Sequence, residues 1–138
     1  FIVGFPGETQ EDFDATLNLV DKVGFDQSFS FVYSPRPNTK ASEMIDDVDH
    51  ETKLKRLQQL QSKITENAKK ISEEMVGSTQ TVLVEKKSKK DENQLSGRTE
   101  NNRWVNFDGP VSLIGEFADI DITEALANSL RGRMSRLI

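Results

Sequence analysis

The chain has 138 residues, with 18 Lys or Arg against 23 Asp or Glu, a net charge of −5 and no cysteine. This composition excludes disulfides, thiolate nucleophiles and cysteine-ligated clusters from anything these residues do alone, and no apolar run approaches the roughly 20 residues that a membrane-spanning helix needs. The acidic excess lies in residues 1–76, with nine basic against fourteen acidic side chains, while 77–138 carry nine of each, so any affinity for nucleic acid has to come from local patches.

The length suits one domain or two small ones. Phe1-Ile2-Val3 already reads as a buried strand without a leading Met, so the chain is expected to be a fragment of a longer protein. Gly4-Phe5-Pro6-Gly7 is a turn cluster, and Thr9 with Asp12 three residues on forms a capping-box pattern. Phe13, Thr16, Leu17, Val20 and Val23 recur at helical spacing, with Gly24 as the stop. Phe25 to Tyr33, aromatic and β-branched, predicts a second strand, ended by Ser34-Pro35-Arg36-Pro37-Asn38. Strand, helix and strand at this spacing form a βαβ unit, which calls for parallel pairing.

His50, the single histidine, follows an acidic stretch and reads as a solvated surface residue. Asp49 to Val76 predicts a long helix whose apolar stripe is Leu54, Leu57, Leu60, Ile64, Ala68, Ile71 and Met75, ended by Gly77. The stripe suits packing within the protein, with a dimerising coiled coil as the other use. From Ser78 the pattern changes to short strands. Gln80–Glu85, Leu95–Thr99, Trp104–Phe107 and Glu116–Thr123 are the candidates, with a polar loop at Lys86–Gln94 and glycines at 115 and 132 suited to bends. About 60 residues of this kind suggest a five-stranded, OB-like barrel.

Two clusters could carry chemistry. Gly4-Phe5-Pro6-Gly7-Glu8 sits where a parallel strand hands over to a helix, the edge at which α/β sheets bind ligands. There the glycines permit close approach and the helix-start N–H groups can meet a polar or anionic group. A tight turn with no ligand is the plainer reading, with Glu8 as a helix-start acid; Arg36, between two prolines, is placed at the same end. In the second half, Lys86, Lys87, Lys89 and Lys90 form a basic stretch, and Arg98, Arg103 and Trp104 cluster around Asn101-Asn102. Guanidinium groups suit phosphate, amides suit base edges, and an indole can stack on an unpaired base. Solvated charge and a core role for Trp104 are the alternatives.

Three stretches, FIVGFPGET, SFVYSPRP and NQLSGRTENNRWVNF, with SLRGR near the end, together resemble the methylthiotransferase branch of radical-SAM enzymes, and within it the MiaB family, tRNA-2-methylthio-N(6)-dimethylallyladenosine synthase. The resemblance implies an α/β remnant of a radical-SAM partial TIM-type barrel over residues 1–48. A linker helix over 49–76 and a small all-β, OB-like, five-stranded TRAM barrel over 77–138 would follow. It implies a cytoplasmic enzyme that adds a methylthio group to C2 of isopentenyl-adenosine beside the anticodon. S-adenosylmethionine and two 4Fe–4S clusters would serve the full-length protein; the cluster cysteines are absent here, so these residues alone are expected to be inactive. By resemblance, Val3, Gly4, Phe5, Pro6, Gly7, Glu8 and Tyr33 would line the S-adenosylmethionine pocket. Lys86, Lys87, Lys89, Arg98, Asn102, Arg103, Trp104 and Arg131 would hold RNA. The implied partners are a tRNA anticodon stem-loop and an N-terminal part of the same protein, in a monomer, with no membrane and no metal ligand in these residues. Branches acting on threonylcarbamoyl-adenosine or on a ribosomal protein, and a stand-alone tRNA-binding module, are the alternatives. Asn38 stands where the family more often has Gly, and Trp104 where it has a smaller aliphatic residue.

Overall fold

The structure, a computed structural model, describes residues 1–135. It divides into two compact units, Phe1–Ala68 and the chain from Lys69 onward.

In the first unit, strand β1 (Ile2–Val3) pairs in parallel with β2 (Phe31–Val32), Ile2 opposite Phe31 and Val3 opposite Val32. Helix α1 (Gln10–Val23) connects them, as the βαβ reading required. Its start is the expected capping box: Thr9 Oγ1 accepts the Asp12 N–H and the Asp12 carboxylate accepts the Thr9 N–H. Gly24 closes it in the left-handed region at φ 69°, donating its N–H to the Val20 carbonyl. The strand expected over Phe25–Tyr33 shrinks to two residues. β1 offers only Ile2 and Val3 before Gly4 turns the chain at φ 76°, so the ladder has nothing further to pair with. Phe25 instead sets its ring edge-on to Phe1 at 5.4 Å. Val3, Phe13, Val20, Leu60 and Ile64 form the buried core.

Helix α2 (His50–Met75) begins at Asp49, whose Oδ1 accepts the Thr52 N–H at 2.8 Å. Its stripe departs from expectation at one end. Leu54 is 42% exposed, whereas Lys53 and Arg56 are buried at 6% and 7%. The buried face runs 53, 56, 60, 64: it lies one residue behind the apolar pattern at 53 and 56, where two cations meet carboxylates (below), and coincides with it from Leu60. The division between the units falls inside this helix, so Leu60 and Ile64 serve the first core and Met75, with Ile71, the second.

The second unit is a closed barrel of β3 (Thr79–Lys87), β4 (Gln94–Arg98), β5 (Trp104–Asp108), β6 (Phe117–Ala125) and β7 (Leu130–Met134). The order around it is β3-β4-β5-β7-β6, with β5–β7 parallel and the other pairs antiparallel. Val82, Val84, Leu95, Val105, Phe107, Ile120, Ile122 and Leu130 fill the interior, alternating with outward residues as a half-buried strand must. β7 escapes the sequence pattern, since Leu-Arg-Gly-Arg-Met has one fully buried apolar residue and two arginines. Gly132, expected at a bend, lies inside β7 opposite Ile122; a Cβ there would come within 2.5 Å of the Ile120 side chain and 2.7 Å of the Asp121 carbonyl. The glycine is required by close strand approach. Lys86 and Lys87, expected in a loop, belong to β3, which continues past a register shift between Val84 and Lys86.

Candidate nucleic-acid interface and the glycine-rich turn

On the barrel, the alternation Trp104-Val105-Asn106-Phe107 buries Val105 and Phe107 completely and turns Trp104 and Asn106 to the outer surface. Trp104 is therefore not the barrel core. Arg98 lies directly opposite it on β4, with its guanidinium carbon 4.4 Å from the ring centroid, and the Lys86 Nζ is 4.7 Å from the same centroid. The indole is already engaged by two cations, a contact worth about 0.5–2 kcal/mol depending on desolvation. Arg98 also pairs with Glu85 at 3.0 Å and donates to Asn102 Oδ1 at 3.2 Å. Asn102 holds φ 65°, a left-handed turn position that Asn tolerates.

The register places Lys86 opposite Ser96 and Ser96 opposite Asn106, one row across three strands. Beside it runs an open groove of about 250 Å³, lined by Lys86, Ser88, Lys89, Lys90, Ser96, Trp104, Asn106, Asn128 and Ser129. Ser96 is buried and its hydroxyl donates to Asn106 Oδ1. The structure thus brings Lys86, Lys89 and Trp104 together, with Arg98 and Asn102 adjoining through the indole. Lys87 is exposed on β3 but does not line the groove. Arg131 neighbours Asn106 on β7 and pairs with Glu124 at 3.3 Å.

Arg103 corrects the sequence expectation. It is only 4% exposed, and its Nε donates to Ser72 Oγ on α2 at 2.7 Å, so the side chain is buried instead of standing on the surface. The residues that sequence reading missed are Ser96 and Asn106. A signal was present, because strict alternation puts Asn106 on the same face as Trp104.

In the first unit, the Gly4–Glu8 turn has its polar groups satisfied from within. The Gly4 N–H donates to Glu8 Oε1 at 2.9 Å and the Gly7 N–H to Asp47 Oδ1 at 2.7 Å. Glu8 forms a buried ion pair with Arg56 at 2.8 Å, and the same guanidinium nitrogen donates to the Glu8 carbonyl at 3.0 Å. Lys53 pairs with Asp46 at 2.6 Å, and its side chain lies so close to Gly4 that a Cβ there would sit 2.3 Å from Lys53 Cγ. The Gly4 and Gly7 N–H donors of the turn are therefore occupied from within the unit, and the Glu8 carboxylate is held by Arg56. Val3 and Pro6 are buried. Arg36 is exposed, and its carbonyl accepts the Thr39 hydroxyl at 2.8 Å. What remains open is aromatic: Phe5 is 42% exposed and meets Tyr33 edge-on at 5.3 Å, while the Tyr33 hydroxyl is buried without a hydrogen-bond partner. Arg56 and Lys53 on α2, and Asp46 and Asp47 in the segment before it, had no sequence signal, because charged residues on a helix or in a loop read as solvated.

Of the residues expected to line a nucleoside-cofactor pocket, those whose chemistry would fit one are Phe5, with its exposed ring, and Tyr33, whose hydroxyl has no partner. Iron–sulfur clusters find no thiolate in this chain, and among the described residues no group of three or more His, Asp or Glu is placed to hold a metal.

Comparison with known proteins agrees with the barrel geometry. Residues 73–135 match the TRAM domain family. The chain is 63% identical over 97% of its length to a tRNA-2-methylthio-N(6)-dimethylallyladenosine synthase of Methylococcus capsulatus, covering 29% of that protein. Enzymes of the same name from Bordetella avium and Francisella tularensis subsp. novicida are each 59% identical over 98% and 97% of the chain, which covers 28% and 30% of them. The chain therefore spans under a third of the length of these relatives. Over 97–98% of its length, and at 59–63% identity, the chain is thus similar to part of these MiaB-type synthases, and residues 73–135 carry the TRAM match.

Proposed function

We propose that this chain supplies the RNA grip of a tRNA methylthiotransferase, whose whole form adds a methylthio group to C2 of isopentenyl-adenosine beside the anticodon. The observation that carries the RNA reading is the row of Lys86, Ser96 and Asn106 beside Trp104, cationic and amide-bearing on a chain of net charge −5. Local cations set against an acidic background favour a confined phosphate-tracking contact over bulk electrostatic binding. The names of the relatives support tRNA as the nucleic acid.

For the first unit, the reading is narrower than the sequence suggested. Phe5 and Tyr33 would offer apolar surface to S-adenosylmethionine, while Glu8, held by Arg56, keeps the shape of the turn. The cofactor, when bound, supplies the methyl group and the radical source. No cluster ligand lies in these residues, so the chain by itself is expected to bind and not to react.

The test is titration of the full 138-residue chain with a labelled tRNA anticodon stem-loop across a salt series. Affinity should fall as salt rises, and K86A and R98A should each flatten the slope of log K against log salt by about 0.7–0.9 for every phosphate left without its cation. Unchanged affinity and slope in both variants would reject the assigned face.

A further inference from the structure

Resting on the RNA reading above, we infer that Asn106, oriented by the buried Ser96 hydroxyl, is the acceptor-reading residue of the barrel groove for a nucleotide of unpaired RNA.

Three observations combine. First, Ser96 is 5% exposed and Asn106 only half-buried, so the pair joins the barrel wall to the groove surface. Second, the Ser96 hydroxyl donates to the Asn106 Oδ1, which engages one of that oxygen's two lone pairs, orients the amide and leaves both Nδ2 donors for the groove that Asn106 lines. A free asparagine can present either end and recognise donors or acceptors alike. This one is oriented so that its free N–H groups are the ones left to a ligand. Third, the same row carries Lys86, and Trp104 stands two residues before Asn106 on the same face, so the amide sits beside the cations that attract a phosphodiester.

The ligand chemistry follows. A donor amide among cations selects an acceptor on a polyanion, either a phosphate oxygen or the acceptor edge of an exposed base. Duplex RNA offers the latter poorly, since its bases are paired and its major groove is too narrow for side chains, so an unpaired segment is the fitting occupant. Lysines position such a strand without reading it; an oriented amide adds a directional contact.

The experiment uses the full chain with four fluorescent eight-nucleotide homopolymers, oligo-A, -C, -G and -U, and an abasic oligomer of equal length. N106L should bind about threefold to tenfold more weakly, the range of one hydrogen bond removed, with the salt slope unchanged. N106D should be weaker still, because a carboxylate repels phosphate. S96A, which frees the amide to rotate, should lose part of the same affinity. An equal loss on all five probes identifies the acceptor as phosphate, and an unequal loss that spares the abasic probe identifies a base edge; both support the assignment. In the unaltered chain, the Asn106 side-chain amide resonance should move on addition of RNA, a readout independent of how any variant folds. If N106L and N106D bind as the parent does and that resonance stays still while K86A weakens binding, the assignment to Asn106 is overturned and the RNA face stands. If K86A and R98A also leave binding unchanged, both readings fall together.

Discussion

The Glu8–Arg56 pair shows how a carboxylate in a glycine-rich turn can be held by a cation distant in the chain. Both side chains are nearly buried, at 12% and 8% exposure, and Glu8 is shared between the Gly4 N–H and the guanidinium. Removing one partner leaves an uncompensated buried charge. R56A should therefore cost about 3–5 kcal/mol in denaturant unfolding, and a loss below about 1 kcal/mol, the ceiling for an exposed pair, would mean that solvent already reaches it. Gly132 is the complementary case in the barrel: G132A forces a methyl against Ile120 and the Asp121 carbonyl, and the overpacking should cost about 1–3 kcal/mol or more.

Two acids at helix starts set the acid limit of the elements they cap. Asp12 is held below the usual carboxylate range mainly by the backbone N–H of Thr9, then by the Thr9 side chain. Asp49 is lowered in the same way, first by the Thr52 backbone N–H. Each carboxylate is more acidic folded than unfolded, so its contribution is present above the ordinary value of 3.8 and is lost as pH falls below that through the folded value. A pH titration of helicity should thus steepen below about pH 4, and D12N with D49N should flatten that limb. T9A removes the other half of the α1 box and should cost about 1 kcal/mol, read as a lower midpoint in thermal unfolding. The barrel strands are ordered by a different logic, since β7 is held by its register with β5 and β6 instead of by its own composition.

At the scale of the whole chain there are two cores with separate membership, Phe13 and Val20 in one, Phe107 and Ile120 in the other, and one helix contributing to both. F13A and F107A should each cost about 3–5 kcal/mol. Hydrogen exchange should report the first in the amides of α1 and the second in those of β4 and β5. Equal deprotection everywhere in both variants would show that the chain unfolds as one cooperative body. Two modest cores suit a chain with 35% hydrophobic residues, which are divided between units that each bury a small interior.

Local rules, acting between residues a few positions apart, were enough to read several features from sequence. They gave α1 with its Thr9 cap and Gly24 stop, the long α2 and four of the five barrel strands, while a core or surface place for Trp104 stayed open. The family resemblance lay in contiguous motifs, which also need no three-dimensional information. Tertiary structure alone decided the rest, because each depends on partners distant in the chain. The β2 ladder is cut to two residues by the length of β1, and β7 exists by pairing with β5 and β6. Arg103 turns inward to Ser72, Glu8 is claimed by Arg56 48 residues away, and Ser96 orients Asn106 across a strand pair. A charged side chain reads as solvated until the fold delivers an opposite charge or an acceptor to it, and no window of sequence contains both.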